Sequence, residues 1–340
     1  RKINMTKFSL KSYAIIPLIA LSTALTACGG GGNSSNSSGS NPPPVVVTPP
    51  APQPVRYVDQ VFTSVDLESG VVFGSGARAN GQSETLSMEI FTPQGDTETN
   101  RPVIILAFGG GFVSGTRFNP GVQLVAQDFA RRGYVTASID YRLFEGFPTN
   151  QAEVEIGIIK AMHDMKAAVR FFREDAIGAN IYGTRSDMII VGGISAGGIT
   201  ASFTGALDAQ DGVAPEVQTF LDQTNGFDGQ SSSNLSVSSD VQGIFSISGA
   251  VTDFLWIDAD TAPIYAAHEE FDTVVPCRAG LTSDGVMLAG GCDMFDRAQS
   301  FNVPSQLYLV EGSDGHVGFT SAQFQEFFNE AAVFFEALVP

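Results

Sequence analysis

Along residues 61–340 the apolar positions follow two periods in turn. Residues 61–92 read as extended segments broken by turns, "VFTSVDLESGVVFGSG" and then "ETLSMEIFTP". Beyond them, short apolar runs alternate with helical patterns. "PVIILAF" (102–108) is uninterrupted, as a strand covered on both faces should be. "PGVQLVAQDFARRG" (120–133) carries apolar residues at helical spacing, with proline at its start and glycine at its end. "YVTASIDY" (134–141) predicts the next strand, and residues 151–175 a long helix rich in Ala, Met and Phe. "DMIIVGG" (187–193) predicts another strand, followed by a helix. "DVQGIFSISG", "PIYAAHE" and "SQLYLVEG" predict three more strands, and residues 321–338 a closing amphipathic helix. Antiparallel strands followed by strand–helix alternation predict an α/β fold: a mostly parallel central sheet, antiparallel N-terminal strands, and helices on both faces. Only about thirteen residues separate the strand ending near 249 from the one beginning at 263, which leaves no room there for a large lid domain. The longer segments 208–238 and 277–304 are expected to loop around the site.

Residues 1–55 follow neither period. Lys7 and Lys11 precede "YAIIPLIALSTALTAC", an apolar run closed by small residues at Cys28. That order is an export signal, and the run is too short for a spanning helix. The "LTAC" ending resembles a bacterial lipobox, which implies a signal peptide over 1–28 and a lipidated Cys28. Gly29 after it is similar to lipoproteins sent to an outer membrane. Residues 29–55 are Gly/Ser/Asn-rich and then Pro-rich, a tether without a core. The catalytic domain is therefore expected over 56–340.

Charge narrows the partners. The chain carries −18; residues 1–27 hold four basic residues and no acid, so the remainder has 14 basic against 36 acidic residues, or −22. Such a surface repels nucleic acid and anionic lipid, leaving the anchor as the expected membrane contact. No Cys/His group has metal-ligand spacing, so neither a metal nor a cofactor is expected. With Cys28 assigned to the anchor, export exposes Cys277 and Cys292 to oxidation as a disulfide pair. The bridge would restrain the turn after Asp272.

Four features fall at predicted strand ends. "VGGISAGG" (191–198) places Ser195 between glycines after an apolar strand and before a helix, the context of a nucleophile on a tight turn. "FGGGFVSG" (108–115) leaves backbone N–H groups uncovered, and those of Gly110 and Gly111, with that of Ala196, suit an oxyanion. Asp272 lies in "AAHEEFDTVVP" (266–276), and His316 in "EGSDGHVGF" (311–319). The order Ser195, Asp272, His316 is that of a Ser–Asp–His triad on this kind of sheet. Asp314 competes with Asp272 as the acid. His163 and His268 read as structural, and Asp140 with Arg142 as an internal ion pair. Phe108, Phe112 and Phe319 are candidates for the substrate pocket.

With these motifs in place the chain resembles α/β-hydrolases of the carboxylesterase and hormone-sensitive-lipase-like kind. "FGGGFVSG" is similar to their glycine loop, "SIDYRL" (138–143) to their Asp-Tyr-Arg strand end, "GISAGG" to their nucleophile elbow, and His268 to Pro276 to their acid-bearing segment. The resemblance spans roughly residues 103–319. It departs at Phe108, where many relatives carry a histidine that bonds the loop. It implies a serine esterase acting through an acyl-enzyme on small or polymer-attached esters. A serine peptidase of the same fold is the alternative, followed by a non-catalytic binding or adhesion protein.

Overall fold

The computed structural model describes residues 53–231 and 234–340. The expected signal peptide, Cys28 and nearly all of the expected tether lie outside the described residues. The described residues belong to one compact unit that runs to Pro340.

Two long strands, β1 (Val65–Ala77) and β2 (Ser83–Pro93), open the domain as an antiparallel pair. β3 (Arg101–Ala107) follows, every residue buried, as its unbroken apolar run requires. Helix α1 (Pro120–Arg132) starts where Asn119 accepts from the N–H groups of Gly121 and Val122 (2.9 and 3.3 Å). After β4 (Val135–Ile139) comes the long helix α2 (Gln151–Ile177), then β5 (Thr184–Ile194) and α3 (Ala196–Ala206). The segment expected to loop over 208–238 holds α4 (Pro215–Gln223). β6 (Gly243–Ile247) leads into a two-residue strand, β7 (Ala250–Val251), and a 3₁₀ turn at Phe254–Trp256. The short connection to β8 (Ile264–Glu269) thus carries no lid. The segment 277–304 is more ordered than a loop: it forms β9 (Gly280–Leu281), β10 (Met287–Gly290) and α5 (Gly291–Ser300). β11 (Ser305–Val310) and α6 (Ser321–Glu336) complete the chain.

The main sheet runs β1-β2-β4-β3-β5-β6-β8-β11. Pairing is antiparallel from β1 through β4 and parallel from there to β11, the mixed sheet the pattern predicts. β7, β10 and β9 form a separate small sheet. What matters for the site is register. Ala107 pairs with Gly193, Ile194 with Ile247, Ile247 with Ala267, and Glu269 with Val310. The carboxyl ends of β3, β5, β6, β8 and β11 are therefore level, and whatever follows each strand emerges on one edge.

One expected ion pair is redrawn. Asp140 and Arg142 are not partners, because each is taken by a residue from another part of the chain. Asp140 pairs with Arg117, and Arg142 with Asp164 of α2 (2.8 Å), whose carboxylate is fully buried.

Candidate active site

The elbow is strained in the way its glycines foretell. Ser195 has φ 56° and ψ −118°, a conformation costing a non-glycine residue about 1–3 kcal/mol. The surroundings impose it: the Ser195 N–H donates to the Ile247 carbonyl at 2.8 Å, which ties the turn to β6. A Cβ on Gly193 would come within 2.4 Å of the Gly197 backbone, and one on Gly197 within 2.0 Å of the Ala107 carbonyl. Only glycine lets strand, elbow and glycine loop approach so closely.

Ser195, His316 and Asp272 meet in a hydrogen-bonded line. Ser195 Oγ lies 2.8 Å from His316 Nε2, and His316 Nδ1 lies 2.7 Å from Asp272 Oδ2. A carboxylate only accepts, so Nδ1 carries the proton and Nε2 is free to accept from the serine hydroxyl. Asp272 is fixed by its own turn: its Oδ1 accepts from the N–H groups of Val274 and Val275 (2.8 and 3.0 Å). Asp314, the competing acid, is exposed to solvent.

His268 is buried beneath this line. Its Nε2 bonds the Val275 carbonyl (2.9 Å), and its Nδ1 accepts from the Gly291 N–H (3.2 Å). Burial holds its pKa below the ordinary histidine value, so it is a neutral strut. His163 is likewise structural, bonded to the Gly226 carbonyl at 2.9 Å.

The glycine loop lies against the elbow. Gly110 (φ 135°) and Gly111 (φ 61°) adopt the left-handed region, and Gly111 and Ala196 border one cavity of about 580 Å³. Phe112, Phe144, Val154, Ile158, Ile199 and Val275 give that cavity its apolar walls. Of the three aromatic candidates only Phe112 lines it. Phe108 is 1% exposed and stacks on Tyr141 with ring centroids 4.4 Å apart, while Phe319 packs against Phe324 and Phe327 of α6. Both belong to the core. The stacking also accounts for the missing histidine. The Tyr141 hydroxyl donates to the Phe108 carbonyl at 2.8 Å, and burial raises its pKa so that it stays a donor. Phe112 in turn accepts from the Phe144 N–H (2.7 Å). The end of β4 thus props the loop.

Glu269 is a site residue that motif reading missed. It is buried at the end of β8, and its carboxylate accepts from Ser313 Oγ (3.1 Å) and from the Gly318 N–H (3.1 Å). These donors flank His316, so Glu269 braces the histidine turn from below. The pairing of Cys277 with Cys292 is present. It closes the base of the β9–β10 hairpin, which borders the cavity, while the Asp272 turn is held by its own backbone bonds.

Comparison with solved structures places the fold. A truncated carbohydrate esterase from gut microbiota superposes with TM-score 0.57 at 17% identity, covering 82% of this chain and 98% of the other. Thermogutta terrifontis esterase 2 phosphorylated by paraoxon gives 0.56 at 19% identity, over 82% and 95%. Its propionate-bound form gives 0.56 at 19%, over 84% and 98%. The chain has the α/β-hydrolase fold. A family model described as BD-FAE matches residues 88–255, a span holding the glycine loop and Ser195 but ending before Asp272 and His316. No curated protein sequence matches it.

Proposed function

We propose that this chain of α/β-hydrolase fold is a serine esterase that cleaves carboxylic esters through an acyl-enzyme. The hydrogen-bonded line from Ser195 through His316 to Asp272, beside a cavity bordered by Gly111 and Ala196, carries the reading. Ser195 Oγ attacks the ester carbonyl while His316 Nε2 takes its proton. The backbone N–H of Ala196, with those of Gly110 and Gly111, receives the oxyanion, each donor being worth roughly 3–4 kcal/mol of barrier. His316 returns the proton to the leaving alcohol, then activates water to release the acid. Asp272 holds the imidazole in the right tautomer and stabilises its charged form. The esterase descriptions of the structural neighbours, one of them phosphorylated by an organophosphate, support the same chemistry.

A panel of p-nitrophenyl esters with peptide anilides alongside tests the reading. Ester turnover abolished in Ser195→Ala is the expected result. Cleavage of anilides in preference to esters would favour a peptidase, and absence of both a binding protein.

The proposal extends to location. The run before Cys28, the small residues that close it and the tether over 29–55 support an exported lipoprotein held at an outer membrane through lipidated Cys28. Cys28→Ser should move active enzyme to the soluble fraction; retention on membranes would refute the anchor.

A further inference from the structure

The cavity beside Ser195 ends at a wall that is held from outside itself. β9 and β10 share only two residue pairs, Met287 with Leu281 and Leu288 with Gly280, and β10 makes two more with β7. A two-stranded hairpin this short has little stability of its own. Yet Thr282, Val286 and Leu288 of this hairpin form one side of the cavity. Three restraints hold it. The buried Cys277–Cys292 disulfide closes its base. Arg278 pairs with Asp293 and Asp296 of α5 (3.0 and 2.7 Å), an exposed arrangement and the weakest of the three. The third is Gln151, the first residue of α2. Its Oε1 accepts from the Met287 N–H (3.0 Å) and its Nε2 donates to the Met287 carbonyl (3.3 Å). Glu155, one turn further along α2, accepts from the same Nε2 (3.2 Å) and aims the amide.

A second cavity of about 550 Å³ adjoins the first at this bridge. Asn150 and Gln151 line both, while Met287 lines the second. The Gln151–Met287 bridge is thus the partition between them. The lining residues of the two cavities include no lysine, arginine or histidine; Asp284 lines the first, and Glu155, Glu216 and Asp253 the second.

The geometry assigns to Gln151 and the disulfide-closed hairpin the role of a size-selecting wall. Resting on the esterase reading, the inference is that the intact bridge confines the substrate's apolar group to the first cavity. Releasing it joins the two cavities and admits a longer group. An extension carrying negative charge is disfavoured, since the carboxylates of both cavities repel it. Gln151 acts here as a positioning residue, through the Met287 backbone.

The test compares wild type with Gln151→Ala on two ester series, one lengthened in the acyl chain and one in the alcohol. An extra methylene held in an apolar pocket is worth about tenfold or more in kcat/KM. In whichever series occupies the cavity, the long-to-short kcat/KM ratio should rise by about tenfold, carried by a lower KM for the long ester. A general structural loss would lower both esters alike. Cys277→Ser with Cys292→Ser loosens the same wall by a second route and should move the ratio in the same direction. An unchanged ratio in both variants, with wild type hydrolysing short esters, overturns the wall. No hydrolysis of any ester by wild type overturns the esterase reading and the wall with it.

Discussion

At the scale of single residues the site depends on which atoms are already occupied. Both backbone donors of the Asp272 turn are taken up by Oδ1, leaving Oδ2 for His316. Asp272→Asn puts an amide against Nδ1 and favours the wrong imidazole tautomer, so kcat should fall by about four orders of magnitude. Asp314→Asn, on an exposed side chain, should stay within about twofold. Comparable losses from the two, measured on one ester, would contradict the assignment. That Ser195 stands on a tight turn was readable from the chain because a strand, a glycine-flanked turn and a helix mark such an elbow whatever else packs nearby. Phe108 and Phe319 were not. Each borders a glycine-rich motif, but whether an aromatic faces a cavity or the core depends on partners in other segments, Tyr141 for Phe108 and Phe327 of α6 for Phe319. The same limit applies to Arg142, whose partner Asp164 is 22 positions away whereas the nearer Asp140 belongs to Arg117.

Among elements, level strand ends assemble the site and buried braces hold its turns. Element type and order followed from apolar periodicity, since each strand's own residues carry that signal. The β9–β10 hairpin was missed because its strands of two and four residues are too short to show a period, and are fixed by the disulfide and Gln151 instead. Glu269 was equally silent in sequence, as its partners are Ser313 and the Gly318 backbone. Removing its carboxylate leaves two donors beside His316 unsatisfied; hydrogen bonds to charged groups are worth about 1.5–3 kcal/mol. Glu269→Ala should therefore lower kcat by about tenfold or more with a smaller effect on KM. Glu269→Gln, whose amide oxygen can still accept from Gly318, should recover most of the loss. Equal loss in both variants, or a change confined to KM, would remove Glu269 from the positioning of His316.

For the whole molecule, a formal charge of −18 makes acid–acid repulsion a term in stability. Asp211 shows it locally. Burial, then the charges of Asp208, Asp258 and Asp253, push its carboxyl up to about 6 against the opposing bond from the Asp208 N–H. Because the folded pKa lies above the unfolded value, this group's stabilising contribution is fully present below about 3.8 and is lost as pH rises through about 6. Asp211→Asn should raise the urea midpoint at pH 8 and leave it nearly unchanged at pH 4; the reverse order would be inconsistent with this account. His163 acts with the opposite sign. Burial first, then Arg142 and Lys166, lower its pKa to about 3, so the unfolded chain takes up the proton first and stability falls as pH drops below about 6.5. The claim on which the functional account rests is that Ser195 is the nucleophile. Treatment of the intact protein with an organophosphonate, followed by peptide mass spectrometry, tests it most directly. The account predicts one phosphonyl group, on Ser195, appearing in step with the loss of ester turnover. Turnover lost with the label on another residue, or full turnover with Ser195 labelled, would contradict it.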